Sequence, residues 1–167
     1  PRPGFVAFEH SFHGRTIGSL SVTWDDHYRA PFAPLLSDVK FVSPNDPDAL
    51  VQYAEECSTM GISYIWDPGQ QCARMDGTQL RDGITGAHIV ICNDYEFELI
   101  RQKTAMQEAD VLARAAVLII TRGEHGSTVI TPDSRIDVPA VPPDRIVDPT
   151  GVGDAFRGGL MKGLADG

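Results

Sequence analysis

Cysteine is scarce in this chain of 167 residues: Cys57, Cys72 and Cys92 are the only three. Their number is odd, their spacing is wide, and no C-x-x-C occurs. That pattern argues against a disulfide framework and against structural zinc, and it predicts reduced thiols in a cytoplasmic protein. The five histidines form no H-E-x-x-H. Basic residues are also few, 14 against 23 acidic ones, for a net charge of −9. This balance disfavours nucleic acid and anionic membrane as general partners. A small anionic ligand stays open, because a local cluster of N–H groups can outweigh the global field. No apolar run reaches transmembrane length, and Pro1-Arg2-Pro3-Gly4 lacks a signal-peptide pattern. Repeats and low-complexity segments are absent as well. No G-x-x-x-x-G-K-[ST] occurs, which excludes a P-loop. Gly151-x-Gly153 carries Phe156 where a dinucleotide fingerprint needs its later glycine, which argues against a Rossmann site. What remains is a chain of ordinary globular composition, long enough to bury one core.

The pattern along the chain changes near residue 38. Before it, Phe5–Phe8 predicts a short strand, residues 17–22 have weak preference of either kind, and residues 24–37 are loop-like. After it, Val39–Val42 predicts a strand. A helix follows over 47–59, with Asp46 as N-cap, Pro47 at its first position and Gly61 as its stop. Strands are predicted at 62–66, 87–92 and 116–121, and helices at 77–82, 94–103 and 106–114. A hairpin is predicted from 126–131 and 135–138, turning at Pro132-Asp133, and a last helix over 155–165. Strands alternating with helices give the fold class α/β, with a mostly parallel sheet flanked by helices.

Ligands of such sheets bind at the carboxyl ends of the strands. Three predicted strand ends carry residues capable of chemistry. After 87–92 come Asn93 and Glu96, on one face of a first helical turn. They can hold a hydrated Mg²⁺ and a phosphate oxygen, and they can equally form a capping box; the two accounts are compatible. After 116–121 comes Thr121-Arg122-Gly123-Glu124-His125-Gly126, which fits a loop around a nucleotide and also a plain glycine turn. After Arg145-Ile146-Val147 comes Asp148-Pro149-Thr150-Gly151-Val152-Gly153-Asp154. Its glycines and the helix behind them can aim N–H groups at one anion. Asp154 at that mouth would repel a passively bound phosphate. A carboxylate there makes sense as the base for a hydroxyl that attacks the phosphate, or else as an ordinary first-turn acid.

From about Val39 to the end, the chain resembles the carboxyl-terminal part of ribokinase-like (PfkB) sugar and nucleoside kinases. The residues that carry this are Asp148–Asp154, Thr121-x-Gly123-x-x-Gly126 and Asn93-x-x-Glu96, in the family's order. Val152 stands where the family usually has Ala. Ser43-Pro44-Asn45-Asp46 and Asp67-Pro68-Gly69-Gln70-Gln71 look most like its bacterial adenosine-kinase-like and sugar-kinase-like members. The resemblance implies a ribokinase-like fold and ATP-dependent phosphorylation of a hydroxyl on a sugar or nucleoside. It implies Asp154 as general base and N–H groups around Gly151, Val152 and Gly153 as the anion hole. Thr121, Gly123 and Gly126 would line the ATP site, and Asn93 and Glu96 would order Mg²⁺ through water. The family's paired-glycine substrate motif, its lid and its final helices have no counterpart here. The fold is therefore expected to be incomplete and the isolated chain to turn over little or no substrate. Exposed sheet edges would then favour association, as a homodimer or non-specifically.

Residues 1–38 resemble a different family. Phe5-Val6-Ala7-Phe8-Glu9, Ser11–Ser21 and Tyr28-Arg29-Ala30-Pro31-Phe32 look like a class III PLP-dependent aminotransferase of the acetylornithine type. That resemblance implies Phe12 stacking on a pyridine ring and Arg15 gripping a carboxylate. No context for the PLP lysine, the pyridinium-binding Asp or the phosphate cup follows. The chain thus reads as an aminotransferase-like fragment, 1–38, joined to a truncated kinase core, 39–167. The alternatives are a PLP aminotransferase fragment and a non-catalytic nucleotide- or phosphate-binding module.

Overall fold

The computed structural model of the chain describes residues 4–43, 47–142 and 151–166. The first strand, β1 (Phe5–Phe8), leads to two short helices, α1 (Ile17–Val22) and α2 (Asp26–Arg29), and one 3₁₀ turn at Ala30–Phe32. Neither helix has a clean apolar period, so caps decide them. Thr16 and Ser19 form a capping box ahead of α1, and Asp25 Oδ1 accepts from the His27 N–H at 2.8 Å ahead of α2. The next strand, β2 (Val39–Val42), pairs parallel with β1, Phe5 opposite Val39 and Phe8 opposite Val42. Leu20, Ala7 and Val42 are buried there. The Trp24 ring meets Phe41 edge-on at 5.1 Å. The run at 39–42, read as the opening of the kinase-like part, therefore shares a two-stranded sheet with the aminotransferase-like segment.

Helix α3 (Pro47–Thr59) stops as expected, with Gly61 at φ +67°. The Gly61 N–H reaches the Ser58 carbonyl and the Ile62 N–H reaches the Cys57 carbonyl, the two bonds of a Schellman cap. That cap takes the Ile62 N–H, and β3 shrinks from the expected 62–66 to Ile65–Trp66. Helix α4 (Gly77–Ile84) starts at a capping box between Asp76 and Gln79. Then come β4 (Ile89–Asn93), α5 (Asp94–Thr104), α6 (Glu108–Leu112), β5 (Val117–Thr121), the hairpin β6 (Ser127–Thr131) and β7 (Ser134–Val138), and α7 (Val152–Asp166).

The second sheet has the order β3-β4-β5-β6-β7. Its first three strands are parallel and its last two antiparallel. The α/β class holds, and the parallel part is the part that matters for the strand ends. Side chains alternate along β4 and β5. Val90, Cys92, Leu118 and Ile120 enter the large core with Leu80, Ile84, Ile100 and Val111 from α4, α5 and α6. Ile89, Ile91 and Ile119 face the other way and meet Phe156 and Leu160 of α7. Phe156 and Leu160 lie four apart, on one helix face. Burial of each such aliphatic side chain contributes about 1.5–3 kcal/mol. Covering both faces explains why β4 and β5 read as continuous apolar runs rather than alternating ones. Among the described residues no helix is long and apolar enough to cross a membrane.

Candidate active site at the strand ends

Asn93 and Thr121 are register partners, so the ends of β4 and β5 lie side by side. Asn93 is also the N-cap of α5. Its Oδ1 accepts from the Glu96 N–H at 2.7 Å, and Glu96 Oε2 accepts from the Asn93 N–H at 2.9 Å. The capping box is therefore present. It uses one carboxylate oxygen of a buried glutamate, 7% exposed. The other, Oε1, takes no hydrogen bond among the described residues. This leaves a negative oxygen near the sheet edge for a hydrated cation.

The loop after β5 is a tight 3₁₀ turn, Gly123–His125, closed by the Arg122 N–H on the Gly126 carbonyl at 2.7 Å. Gly126 sits at φ +82°, and a Cβ there would meet the Val138 carbonyl oxygen at 2.0 Å. Gly123, at φ +54°, faces open space. Arg122 is not a free cation. Its Nη2 donates to Asp137 Oδ1 at 2.7 Å and to the Thr128 hydroxyl, and that hydroxyl donates to the same carboxylate at 2.6 Å. The Thr128 hydroxyl and the Arg122 guanidinium hold the Asp137 carboxyl below its ordinary value. Arg122 thus ties the loop to the hairpin instead of pointing at a ligand.

Asp148, Pro149, Thr150 and the run 145–147 lie outside the described residues. Gly151 precedes α7 at φ +81°, and its carbonyl accepts the Ala155 N–H. Glycine at this position offers no side chain to cap the helix. Among the described residues nothing accepts from the N–H groups of Val152, Gly153 and Asp154, which lie at the positive end of a helix of 15 residues. Asp154 is on the first turn and exposed.

The placement of that turn depends on two residues the sequence reading did not select. Asp67 follows β3, and Arg157 is one turn beyond Asp154. The guanidinium grips the carboxylate in two places, Nη2 to Oδ1 at 3.0 Å and Nε to Oδ2. Arg157 Nη1 also lies 3.6 Å from Asp154 Oδ1. Asp67, Asp154 and Glu96 all hold Arg157 in its charged form, with the hydrogen bond to Asp67 the largest effect. Glu96 and Asp67 likewise act together, behind burial, in raising the Cys72 and Cys92 thiols. So the ends of β3 and β4, the first turn of α5 and the first turn of α7 share one neighbourhood. Asp67 and Asp154 meet one guanidinium there and Glu96 acts on it electrostatically, leaving two negative charges in excess. An acid directly after a predicted strand is the signal that marks Asp67.

Such an edge suits a divalent cation that arrives with its own ligands. Among the described residues no group of three His, Cys, Asp or Glu could hold a metal alone. Mg²⁺ bound through waters and phosphates needs only one or two carboxylates, and Glu96 is the residue at this edge that could serve as one.

Phe12 and Arg15 are elsewhere. Both meet Tyr28, Phe12 edge-on at 5.4 Å and the Arg15 guanidinium 5.5 Å from the ring centre. Phe12 and Tyr28 help line a cleft of about 420 Å³ with His10, Trp24, Asp25 and Arg29. A PLP aldehyde needs a free lysine amine. The chain has three lysines, and none of them lines that cleft. Lys40 lies over Tyr53, Lys103 donates to the carbonyls of Cys72, Ala73 and Met75, and Lys162 pairs with Asp166. The residues present do not fit PLP.

Comparison with known proteins finds similarity to both families, and the kinase match begins within the segment that resembles an aminotransferase. The model of the pfkB family of carbohydrate kinases matches residues 23–167. A nucleoside kinase of Methanocaldococcus jannaschii is 27% identical over 142 residues, 84% of this chain and 47% of that protein. Its solved structure, described as an archaeal member of the ribokinase family, superposes with a TM-score of 0.70 over 80% of this chain and 45% of that one. The structure of a Burkholderia thailandensis nucleoside kinase in complex with inosine superposes with a TM-score of 0.66, at 46% identity, over 70% of this chain and 39% of that one. The chain thus spans about half the length of the kinases it matches, or less. Separately, the mitochondrial acetylornithine aminotransferase of Saccharomyces cerevisiae is 58% identical over 45 residues, 27% of this chain and 11% of that protein.

Proposed function

The chain belongs to the pfkB family of carbohydrate kinases, and from that premise we propose that it carries the nucleotide-binding and phosphoryl-transfer half of an ATP-dependent kinase. The acceptor is a hydroxyl of a small sugar or, as the relatives' names and the inosine-bound neighbour favour, a nucleoside. The observation that carries this reading is the convergence at one sheet edge. Asn93 and Thr121 are register partners, and Arg157 links the Asp67 end of β3 to Asp154 on α7.

In this reading the N–H groups of Val152 and Gly153 and the positive end of α7 stabilise charge on the transferring phosphoryl group. Asp154, exposed at that end, takes the proton of the attacking hydroxyl. Glu96 Oε1 and Asn93 order the waters of Mg²⁺, which neutralises charge on the phosphates when bound. Gly126 holds the loop after β5 close to the Val138 backbone, and Thr121 and Gly123 line the nucleotide site. The reduced, buried thiols suit a cytoplasmic setting.

Titration calorimetry of the full chain with ATP and Mg²⁺ tests the reading. Saturable binding is expected, retained or tightened in Asp154→Ala, which removes a negative charge from the phosphate end. No turnover is expected with a panel of sugars and nucleosides, because the family's substrate-contacting motif has no counterpart here. Absence of Mg²⁺-dependent ATP binding would sink the proposal. Robust turnover would refute the inactivity of the isolated chain and leave the kinase assignment standing.

A further inference from the structure

We propose that Arg157 is a positioning residue. Its fork clamps Asp67 at the end of β3 and thereby fixes the first turn of α7, with Asp154 on it, against the carboxyl edge of the sheet. What Asp154 does there rests on the kinase reading; the clamp itself does not.

The geometry asks for such a clamp. α7 follows a stretch that ends in glycine at φ +81°, and its own glycines, Gly153, Gly158, Gly159 and Gly163, make it a weak helix former. Its apolar attachment to the sheet is thin. Phe156 and Leu160 are only partly buried, and Val152, Met161 and Leu164 are exposed. Two apolar anchors four residues apart leave a helix free to slide or tilt, since apolar contact is non-directional. A bidentate guanidinium–carboxylate pair is directional in two distances at once. It acts at residue 157, between the anchor Phe156 and the rest of the helix, and it ties that point to a strand end 90 residues away in sequence. The pair is partly buried, with side chains 34% and 22% exposed, so water screens it less than a fully exposed surface pair.

The same contact sets the direction of Asp154. Arg157 Nη1 is 3.6 Å from Asp154 Oδ1, so the guanidinium that is locked by Asp67 also offers the base a fixed positive neighbour. Lysine would serve this poorly, having one point charge and no fork.

Amide hydrogen exchange over α7 tests the clamp in the full chain, using Arg157→Met, Asp67→Asn, Arg157→Lys and the charge-exchanged pair Asp67→Lys with Arg157→Glu. In the first two, exchange at residues 155–160 is expected to rise about tenfold while β4 and β5 keep their protection. Arg157→Lys should fall between, and the exchanged pair should recover part of the loss, which mere disruption of packing would not allow. Calorimetry on the same proteins should show Mg²⁺–ATP affinity falling and recovering in step with α7 protection. Unchanged exchange in Asp67→Asn and Arg157→Met overturns the clamp. Equal loss in all four variants also overturns it, because the pairing then carries nothing beyond packing. A wild-type chain that binds no nucleotide removes the kinase reading, and the clamp then stands or falls on exchange alone. Should Arg157→Met fail to fold, Asp67→Asn and Arg157→Lys decide the matter.

Discussion

Gly126 and Gly123 make a matched pair for testing the nucleotide loop. Both have positive φ and both belong to one turn, yet their surroundings differ. At Gly123 a Cβ meets nothing within 4 Å, so alanine there carries only the left-handed strain, about 1 kcal/mol. At Gly126 the strain is of the glycine-only kind, φ +82° with ψ −141°, which costs about 1–3 kcal/mol. A Cβ would also stand 2.0 Å from the Val138 carbonyl oxygen and 2.8 Å from the Ala140 nitrogen. Both are backbone atoms that no rotamer can move aside. Forcing them apart adds about 1–3 kcal/mol of overpacking, and displacing Gly126 also loosens the bond from the Arg122 N–H, worth about 1 kcal/mol. Gly126→Ala should therefore cost about 3–7 kcal/mol against about 1 for Gly123→Ala. With a urea slope near 2 kcal/mol per M, the midpoints should fall by about 1.5–3.5 M and about 0.5 M. Urea titration followed by Trp66 fluorescence, in a Trp24→Phe background, reads the main sheet directly. Equal midpoints for the two variants would refute the reasoning, since they would show that β7 does not press on the loop.

Two further outcomes follow from titrating groups. Burial raises Cys72 to about 12 and pushes Cys92 up as well, so a thiol reagent near pH 8 should label Cys57 in the native chain and all three thiols in urea. Because the unfolded thiols titrate near their ordinary value of about 8.5, folded stability should be full below that pH and fall as pH rises towards 12, by up to about 1.4 kcal/mol per unit for each thiol. A flat alkaline profile would contradict this. Asp137 behaves oppositely. Its carboxyl is held low by Thr128 and Arg122, so its contribution is present above the ordinary aspartate range and is lost as pH falls through the lowered value. Carboxyl NMR should show Asp137 titrating below its ordinary value, and Thr128→Val should move it back up.

Much of the fold was legible because its signals are local. The α3 stop at Gly61, the hairpin around Pro132-Asp133 and the Asn93–Glu96 capping box each depend on residues within five positions of one another. The apolar runs of β4 and β5 could be read because both faces of a parallel strand are buried. The failures have equally specific causes. α1 and α2 carry no apolar period and are held by capping side chains, Thr16 with Ser19 and Asp25. β3 lost three residues to a helix cap that borrowed a strand N–H. The pairing of Arg122 left no local signal, because Asp137 lies 15 residues on, across a hairpin whose register a strand pattern does not specify.

The sequence by itself determined the order of the motifs, the α/β alternation, and the presence of two unlike parts. Those properties reside in residue identity and short spacing. Only the tertiary structure decided that β2 pairs with β1, that Asn93 faces Thr121, and that Arg157 closes on Asp67. Each depends on which strand lies beside which and which sheet face a helix covers. A two-residue strand period and a helical period describe one element at a time and carry no record of its neighbours. The glycine stretch before α7 shows the division most plainly. Its chemistry could be named from Gly151 to Asp154, but what holds Asp154 in place is an aspartate 87 residues earlier in the chain, acting through Arg157.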